Sequence, residues 1–140
     1  MSENGSNSTD FHNLCNDKGP TLVLINITKE KKLGGFTPLD WKDEGGFVSD
    51  ESLQTFIFSL NLNKKYDLTD KEFNAVKFEF DNGPNFGNGD IIVYKNMKEG
   101  KSYANDKCSF LMDSNLELIG EKGEVQNFDI KEIEVYKVIY

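Results

Sequence analysis

The chain has no arginine, one histidine and two cysteines among its 140 residues. Because a bidentate guanidinium clamp on a phosphate or a carboxylate needs arginine, the sixteen lysines can supply only point charges to such groups. Acidic residues outnumber lysines and give a formal net charge of −8, which opposes binding to a phosphate backbone. These absences predict a protein that does not bind nucleic acid.

Long apolar runs are also missing. No stretch approaches the roughly eighteen apolar residues that a membrane-spanning helix requires. The amino terminus, MSENGSNSTD, has no cationic start followed by an apolar run, as a secretory signal would have. The sequence therefore predicts a cytoplasmic protein with no direct membrane insertion.

The scarcity of histidine and cysteine limits catalysis and metal binding. Cys15 and Cys108 lie far apart in sequence, and a reducing cytosol does not favour a bridge between them, so both are interpreted as buried thiols. His12 and Cys15 have a helical spacing for two metal ligands, but no further ligand is identifiable. His12 is also the only histidine that could serve a nucleophile as its base. We predict no catalytic residue, no metal site and no cofactor, with a thiol-based redox enzyme using either cysteine as an alternative.

Aromatic and aliphatic residues are frequent enough for one hydrophobic core. Hydrophobic residues make up 37% of the chain and include eleven phenylalanines and five tyrosines. With this length, they predict a single domain over residues 9–140, after a polar and disordered segment at residues 1–8. A short helix is expected at residues 11–18, where Gly19 would end it.

Most of the remaining chain has the apolar patterns of short β-strands. TLVLINIT, at residues 21–28, is apolar on both faces, which is typical of an interior strand covered on each side. The closing segment changes its apolar phase between Ile130 and Ile133, which predicts a bulge or a short turn. Many short strands without alternating helices indicate a β-rich sandwich. The other predicted strands lie at residues 33–37, 56–61, 74–81 and 90–96, with two more expected at CSFLM, residues 108–112, and LELIG, residues 116–120.

Two glycine pairs flank the only tryptophan in GGFTPLDWKDEGGF, at residues 34–47. Glycine pairs can bring backbone N–H groups up to a phosphate. They can also mark a bulge or a close approach of another group to a strand, with the tryptophan anchoring the following turn in a core. From the residues alone, both explanations stay open.

The second unusual loop is NGPNFGNGD, at residues 82–90. Its GNGD is similar to parts of nucleotide-binding and calcium-binding loops. A phosphate loop should open a helix, however, and DIIVY has the pattern of a strand. We therefore predict a glycine-rich turn between antiparallel strands, with a jelly-roll-like module that binds calcium or carbohydrate through residues 83–90 as an alternative.

Six segments in a fixed order resemble one known family. They are FHNLCNDKGPTLVLI, LGGFTPLDW, GGF, FIFSLN, NGPNFGNGDIIVY and FDIKEIEVY. This ordered set, which runs from about Phe11 to Tyr136, is similar to the TLDc domain of the oxidation-resistance proteins and of many protist proteins.

The resemblance implies a β-rich α+β fold, in which two antiparallel sheets form a β-sandwich with short flanking helices, and no established catalytic centre. In such a fold, Gly34 and Gly35 would let a core strand bend, and Trp41 would pin the loop that follows. Gly45 and Gly46 would return the chain to the next strand. TLDc domains usually begin several tens of residues further upstream, which leaves open that this fold lacks its usual N-terminal portion.

The resemblance also implies a function. Family members are associated with protection against oxidative stress in eukaryotes, and several bind the cytosolic sector of the vacuolar proton-pumping ATPase (V-ATPase) and regulate its assembly. A non-catalytic protein-interaction domain is therefore expected, with cytosolic V-ATPase subunits as partners that could bring it to vacuolar or lysosomal membranes. Partner binding is implied for the positions that match the family's motifs, which are Gly83, Phe86, Gly87 and Gly89 in the glycine loop and Glu134 in the closing EVY.

Overall fold

In the computed structural model, the described parts of the chain contain β-strands and no helix. The β-rich class is therefore confirmed. The described residues are 16, 19–27, 30–41, 46–68, 74–78, 82–87, 90–94, 96–103 and 125–138. The strands are β1 (Thr21–Ile27), β2 (Lys32–Thr37), β3 (Gly46–Ser49), β4 (Phe56–Ser59), β5 (Lys64–Asp67), β6 (Asn74–Phe78), β7 (Asn85–Phe86), β8 (Ile91–Val93), β9 (Glu99–Tyr103) and β10 (Val125–Lys137).

All ten strands belong to one antiparallel sheet with the order β3-β6-β7-β8-β9-β10-β1-β2-β4-β5. The prediction of two separate sheets with flanking helices is not confirmed. The reason lies in β10, which pairs with β9 through its first residues and with β1 through its last, so hydrogen bonding is continuous across the fold. Asn16 forms an isolated parallel bridge with Trp41, so the helix expected at residues 11–18 does not include it, and most of that segment lies outside the described residues.

The sheet folds back on itself around a core. Strands β7 and β2 are five positions apart in the strand order, which would separate them by about 24 Å in a flat sheet. A Cβ atom placed on Gly35 of β2 would nevertheless lie 2.7 Å from the Phe86 ring of β7. The core lies between the two arms and is formed mainly by Val23, Ile25, Ile27, Leu33, Trp41, Ile57, Tyr66, Leu68, Ala75, Val76, Phe86, Ile91, Val93, Met97, Phe128, Ile130 and Ile133.

Strand β1 lies inside the sheet, as its sequence predicted, between β10 and β2. Burial alternates along it, because Val23, Ile25 and Ile27 are fully buried while the residues between them are half-buried. The face that carries Val23 is called the inner face below, and the opposite one the outer face. The strand is therefore covered on each side only in part, because its outer face is half-buried where its inner face is fully buried.

The remaining strand predictions have mixed outcomes. Strands are confirmed within residues 33–37, 56–61, 74–81 and 90–96. The bulge predicted near the C-terminus is also confirmed, because Asn26 pairs with Glu132 while Ile27 pairs with Ile130, which leaves Lys131 as the extra residue. The two strands predicted at residues 108–112 and 116–120 lie outside the described residues, and β9, at Glu99–Tyr103, is a further strand that the sequence patterns did not predict.

Candidate functional site

The glycine pair of β2 makes room for one aromatic ring on each face of the sheet. A Cβ atom on Gly35 would meet the Phe86 ring on the inner face, and one on Gly34 would lie 2.8 Å from Cζ of Phe58 on the outer face. The Gly34 Cβ would also collide with the backbone carbonyl of Val23. Because β2 keeps a regular register with both neighbours, the glycines mark close approaches and not a bulge, and their N–H groups face strands instead of a ligand.

Trp41 closes one end of the inner face. Its indole Nε1 donates a hydrogen bond to Oγ1 of Thr21 at 2.7 Å, and its ring packs edge-on against Phe86 with centroids 5.7 Å apart. Of the second glycine pair, Gly46 begins β3 with φ of 102°, a backbone conformation that favours glycine, and Gly45 lies outside the described residues. The segment between the glycine pairs thus fixes a buried aromatic pair.

A buried carboxylate organises the loop before β4, a feature that the sequence analysis missed. Both oxygens of Asp50 accept hydrogen bonds, from N and Oγ of Ser52, from N of Gln54 and from N and Oγ1 of Thr55, at 2.5–3.1 Å. Burial alone would raise the pKa of Asp50, but the hydrogen bonds from Ser52 and Thr55 together hold it below its ordinary value. An aspartate two residues before a serine was the available signal, because it favours this kind of turn.

The described residues of the glycine loop, 82–87 and 90, are built into the core instead of forming a surface site. The N–H of Gly83 donates to the carbonyl of Val93 at 3.0 Å, and the N–H of Gly87 donates to that of Ala75 at 2.7 Å. Gly87 has φ of 71°, and Phe86 is fully buried. The loop therefore contributes β7, which lies between β6 and β8, whereas Gly89 lies outside the described residues.

Glu134 lies on the outer face of the sheet, whereas Phe86 of the glycine loop packs against the inner face. Glu134 is half-buried on β10, directly opposite Leu24, and its Oε2 accepts a hydrogen bond from the Tyr136 hydroxyl. The structure therefore does not bring Glu134 and Phe86 to one site. A shallow hollow open to solvent surrounds the carboxylate and is lined by Leu24, Asn26, Lys32, Glu132 and Glu134.

An aromatic and aliphatic row crosses the same face beside Glu134. Register places Leu22 opposite both Tyr136 and Phe36, and Phe36 opposite Phe56. We call these four residues the outer-face row. The rings of Phe36 and Phe56 stack with centroids 5.4 Å apart, the ammonium of Lys65 lies 4.6 Å from the Phe56 centroid, and Tyr136 is 48% exposed. The sequence signal was the apolar character of β1 on both faces, which predicted coverage on each side.

The described residues contain neither a cluster of metal ligands nor a membrane-spanning helix. They contain no group of three or more His, Cys, Asp or Glu side chains that could hold a metal ion. Within the same part of the chain, no helix is long and apolar enough to cross a membrane. His12, Cys15 and Cys108 lie outside the described residues, so the thiol alternative stays a prediction.

Comparison with known families decides which family the chain belongs to. The family model of the TLDc domain matches residues 1–139. The chain belongs to the TLDc domain family. This confirms the resemblance of the six ordered segments and extends it to nearly the whole chain. No curated protein matches the chain. Membership of the TLDc family suggests an oxidation-resistance type of function and protein–protein interaction in general.

Proposed function

We propose that this TLDc domain is a non-catalytic protein-interaction domain of the oxidation-resistance type, and that it binds its partner through the outer face. The observation that carries the proposal is the outer-face row, whose four apolar side chains all keep solvent-exposed surface. The row crosses four neighbouring strands, a width of about 14 Å, which is enough for one extended segment or one helix of a partner.

The composition of the outer face suits a protein partner. Tyrosine and phenylalanine are enriched at the centres of protein interfaces because they bury a large area at a small entropic cost. Tyr136 has the greatest exposure in the row, and its hydroxyl group fixes the neighbouring carboxylate of Glu134. Glu134 then supplies a negative charge beside the apolar row, which favours a partner that carries lysine or arginine next to an apolar side chain.

The glycine loop supports this face indirectly. Phe86 has no exposed surface, so it cannot contact a partner, but its ring fills the space beneath Gly35, the residue before Phe36 of the row. We assign Gly83, Phe86 and Gly87 to the positioning of β2 and its neighbours. Glu134 is assigned to direct contact.

The partner that we propose is a cytosolic subunit of the V-ATPase, through which the domain would regulate the pump and contribute to protection against oxidative stress. The domain would be cytoplasmic and would reach vacuolar or lysosomal membranes with this partner. Family membership and the exposed outer-face row together support this choice.

Affinity capture with the purified protein tests the proposal. The folded chain should retain V-ATPase subunits from a lysate of its own cells, and competing soluble protein should release them. Tyr136→Ala should weaken binding about tenfold or more, and Glu134→Gln several-fold. Phe47→Ala is the matched control, because Phe47 is an aromatic residue of similar exposure, 47%, on the edge strand β3. Failure of the folded protein to retain any pump subunit would contradict the choice of partner, and loss of binding only in the control variant would contradict the choice of surface.

A further inference from the structure

Two turns are joined by hydrogen bonds at one end of the sheet and form a single surface. We call this surface the tip and define it as residues 30–32 and 60–65. The side chain of Asn61 joins the turns, because its Oδ1 accepts from the N–H of Lys32 at 2.6 Å and its Nδ2 donates to the carbonyl of Glu30 at 3.0 Å. The N–H of Leu60 adds a third link to the carbonyl of Lys32 at 2.9 Å.

The tip exposes two leucines. Leu60 is 51% exposed and Leu62 is 46% exposed, although turn positions normally carry polar residues. The turn between them is held by hydrogen bonds from the N–H of Leu62 to Oγ of Ser59 and from the N–H of Asn63 to the carbonyl of Leu60. Both leucines are therefore presented on an ordered turn.

The charge of the tip is opposite to that of the rest of the chain. It contains four lysines and one glutamate, a net charge of +3. The other twelve of the sixteen lysines and twenty-three of the twenty-four acidic residues give the remainder a net charge of −11. Three carboxylates lie close to the tip, since Asp67 pairs with Lys65 at 3.0 Å and both Glu132 and Glu134 share the hollow with Lys32. Lys31 and Lys64 complete the basic group of the tip.

We propose that the tip docks on the surface of an anionic phospholipid bilayer, with Leu60 and Leu62 at the boundary between headgroups and acyl chains and the lysines against the headgroups. Leucine and lysine are poorly represented at the energetic centres of protein interfaces, whereas this pair of residue types is typical of interfacial membrane binding. The anionic bilayer also repels the rest of the protein, which is strongly acidic, and this repulsion orients the molecule with the tip towards the bilayer.

This contact is peripheral. It departs from the sequence prediction of no direct membrane insertion only because the side chains of Leu60 and Leu62 would enter the membrane interface. It does not depend on the outer-face row or on the identity of a protein partner. The tip and the outer-face row therefore make separate predictions, and each can fail without the other.

Sedimentation of the complete chain with lipid vesicles tests the proposal. The protein should bind vesicles of phosphatidylcholine that contain phosphatidylserine, should bind pure phosphatidylcholine vesicles much more weakly, and should be released by added salt. The double variant Leu60→Ser/Leu62→Ser should lose about tenfold or more in binding. The double variant Lys31→Gln/Lys64→Gln should lose roughly fivefold for each lysine removed.

Two matched controls distinguish an effect of the tip from an effect of replacing any exposed leucine or any exposed lysine. Leu53→Ser replaces a leucine of similar exposure, 43%, that precedes the start of β4, at the end of that strand away from the tip. Lys137→Gln removes an exposed lysine from the C-terminal end of β10, which is also away from the tip. Both controls should bind as the unchanged protein does, and circular dichroism should show that all variants are folded. Absence of binding to the anionic vesicles, equal binding to neutral vesicles or equal losses in the controls would overturn the proposal. Loss of protein capture by the leucine variant without any vesicle binding would instead make the tip a protein contact.

Discussion

The inner and outer faces of β1, β2 and β4 are built from the same classes of residue but have different surroundings. On the inner face, Val23 and Ile57 are fully buried on either side of Gly35. On the outer face, Leu22 and Phe56 lie on either side of Phe36 and keep exposed surface. The difference arises because Phe86 and its neighbours, from the other arm of the sheet, pack onto the inner face alone. The inner-face side chains of these strands therefore contribute to the core, whereas the outer-face row keeps surface for binding. Phe58 is the exception on the outer face, because its ring is buried against Gly34.

The largest expected effect on stability comes from truncating a phenylalanine on the inner face, compared with truncating one on the outer face. Phe86→Ala leaves a cavity against Gly35 and Trp41 and should lower the free energy of unfolding by about 3–5 kcal/mol. Phe56→Ala removes a half-buried ring that lies outside the core and should cost about 1 kcal/mol. Urea unfolding followed by circular dichroism measures both. Equal losses would mean that the outer face is also part of the core, and the comparison would fail.

The two adjacent glycines sharpen the same comparison. Gly35→Ala drives a methyl group into the Phe86 ring and should cost about 1–3 kcal/mol, and Gly34→Ala should cost as much or more because the backbone of Val23 cannot yield easily. Urea unfolding of single and double variants separates the contacts. Phe86→Leu should offset part of the loss caused by Gly35→Ala, whereas Phe58→Leu should not. Rescue by the wrong partner would show that the faces have been assigned incorrectly.

Local patterns predicted much of the strand layout. The interior position of β1 followed from its aliphatic run, and the bulge at Lys131 followed from the apolar phase shift between Ile130 and Ile133. The continuity of the sheet did not follow, because it depends on β10 pairing with different strands at its two ends. A sequence pattern shows that a strand is apolar on both faces, but it does not show how much of each face other strands cover.

The candidate site was less predictable for the same reason. Glu134 and the glycine loop were grouped because both match motifs of one family, yet they occupy opposite sides of the fold. The contact between Gly35 and Phe86 joins segments that are distant in the chain, so no local rule could have chosen it among the explanations for the glycine pair. The loop around Asp50, by contrast, carried a local signal in its aspartate and serine spacing.

A third prediction concerns the hydrogen bonds of the Asp50 carboxylate, which lie at the end of the inner face where β2 ends at Thr37. The carboxylate binds Thr55, whose hydroxyl group lies 3.0 Å from that of Thr37 on β2. Because the pKa of Asp50 is lowered in the folded state, its stabilisation is present above the pKa of the unfolded chain and is lost as the pH falls through the folded value. Asp50→Asn should therefore cost about 1–3 kcal/mol at neutral pH and reduce the loss of stability on acidification below about pH 4.

Urea unfolding at several pH values measures this effect. Asp67→Asn is the matched control, because Asp67 is an exposed aspartate whose ion pair with Lys65 should contribute at most about 1 kcal/mol. An unchanged acid dependence in Asp50→Asn would show that this carboxylate does not stabilise the inner face through its ionised form.

The smallest effect on stability is expected at Tyr136, the most exposed residue of the outer-face row and one of those proposed to contact the partner. Tyr136→Phe removes the hydrogen bond to Glu134 but keeps the ring in the outer-face row, and the exposed position limits the cost to about 0.5 kcal/mol. Urea midpoints and partner capture should be measured on the same preparation. If the hydroxyl group serves only to orient the carboxylate, Tyr136→Phe should weaken capture about as much as Glu134→Gln does, and combining the two changes should add little, because both act on one contact. A large loss of stability in Tyr136→Phe would instead place the tyrosine among the residues that hold the fold together, and the outer face would no longer be separable from the core.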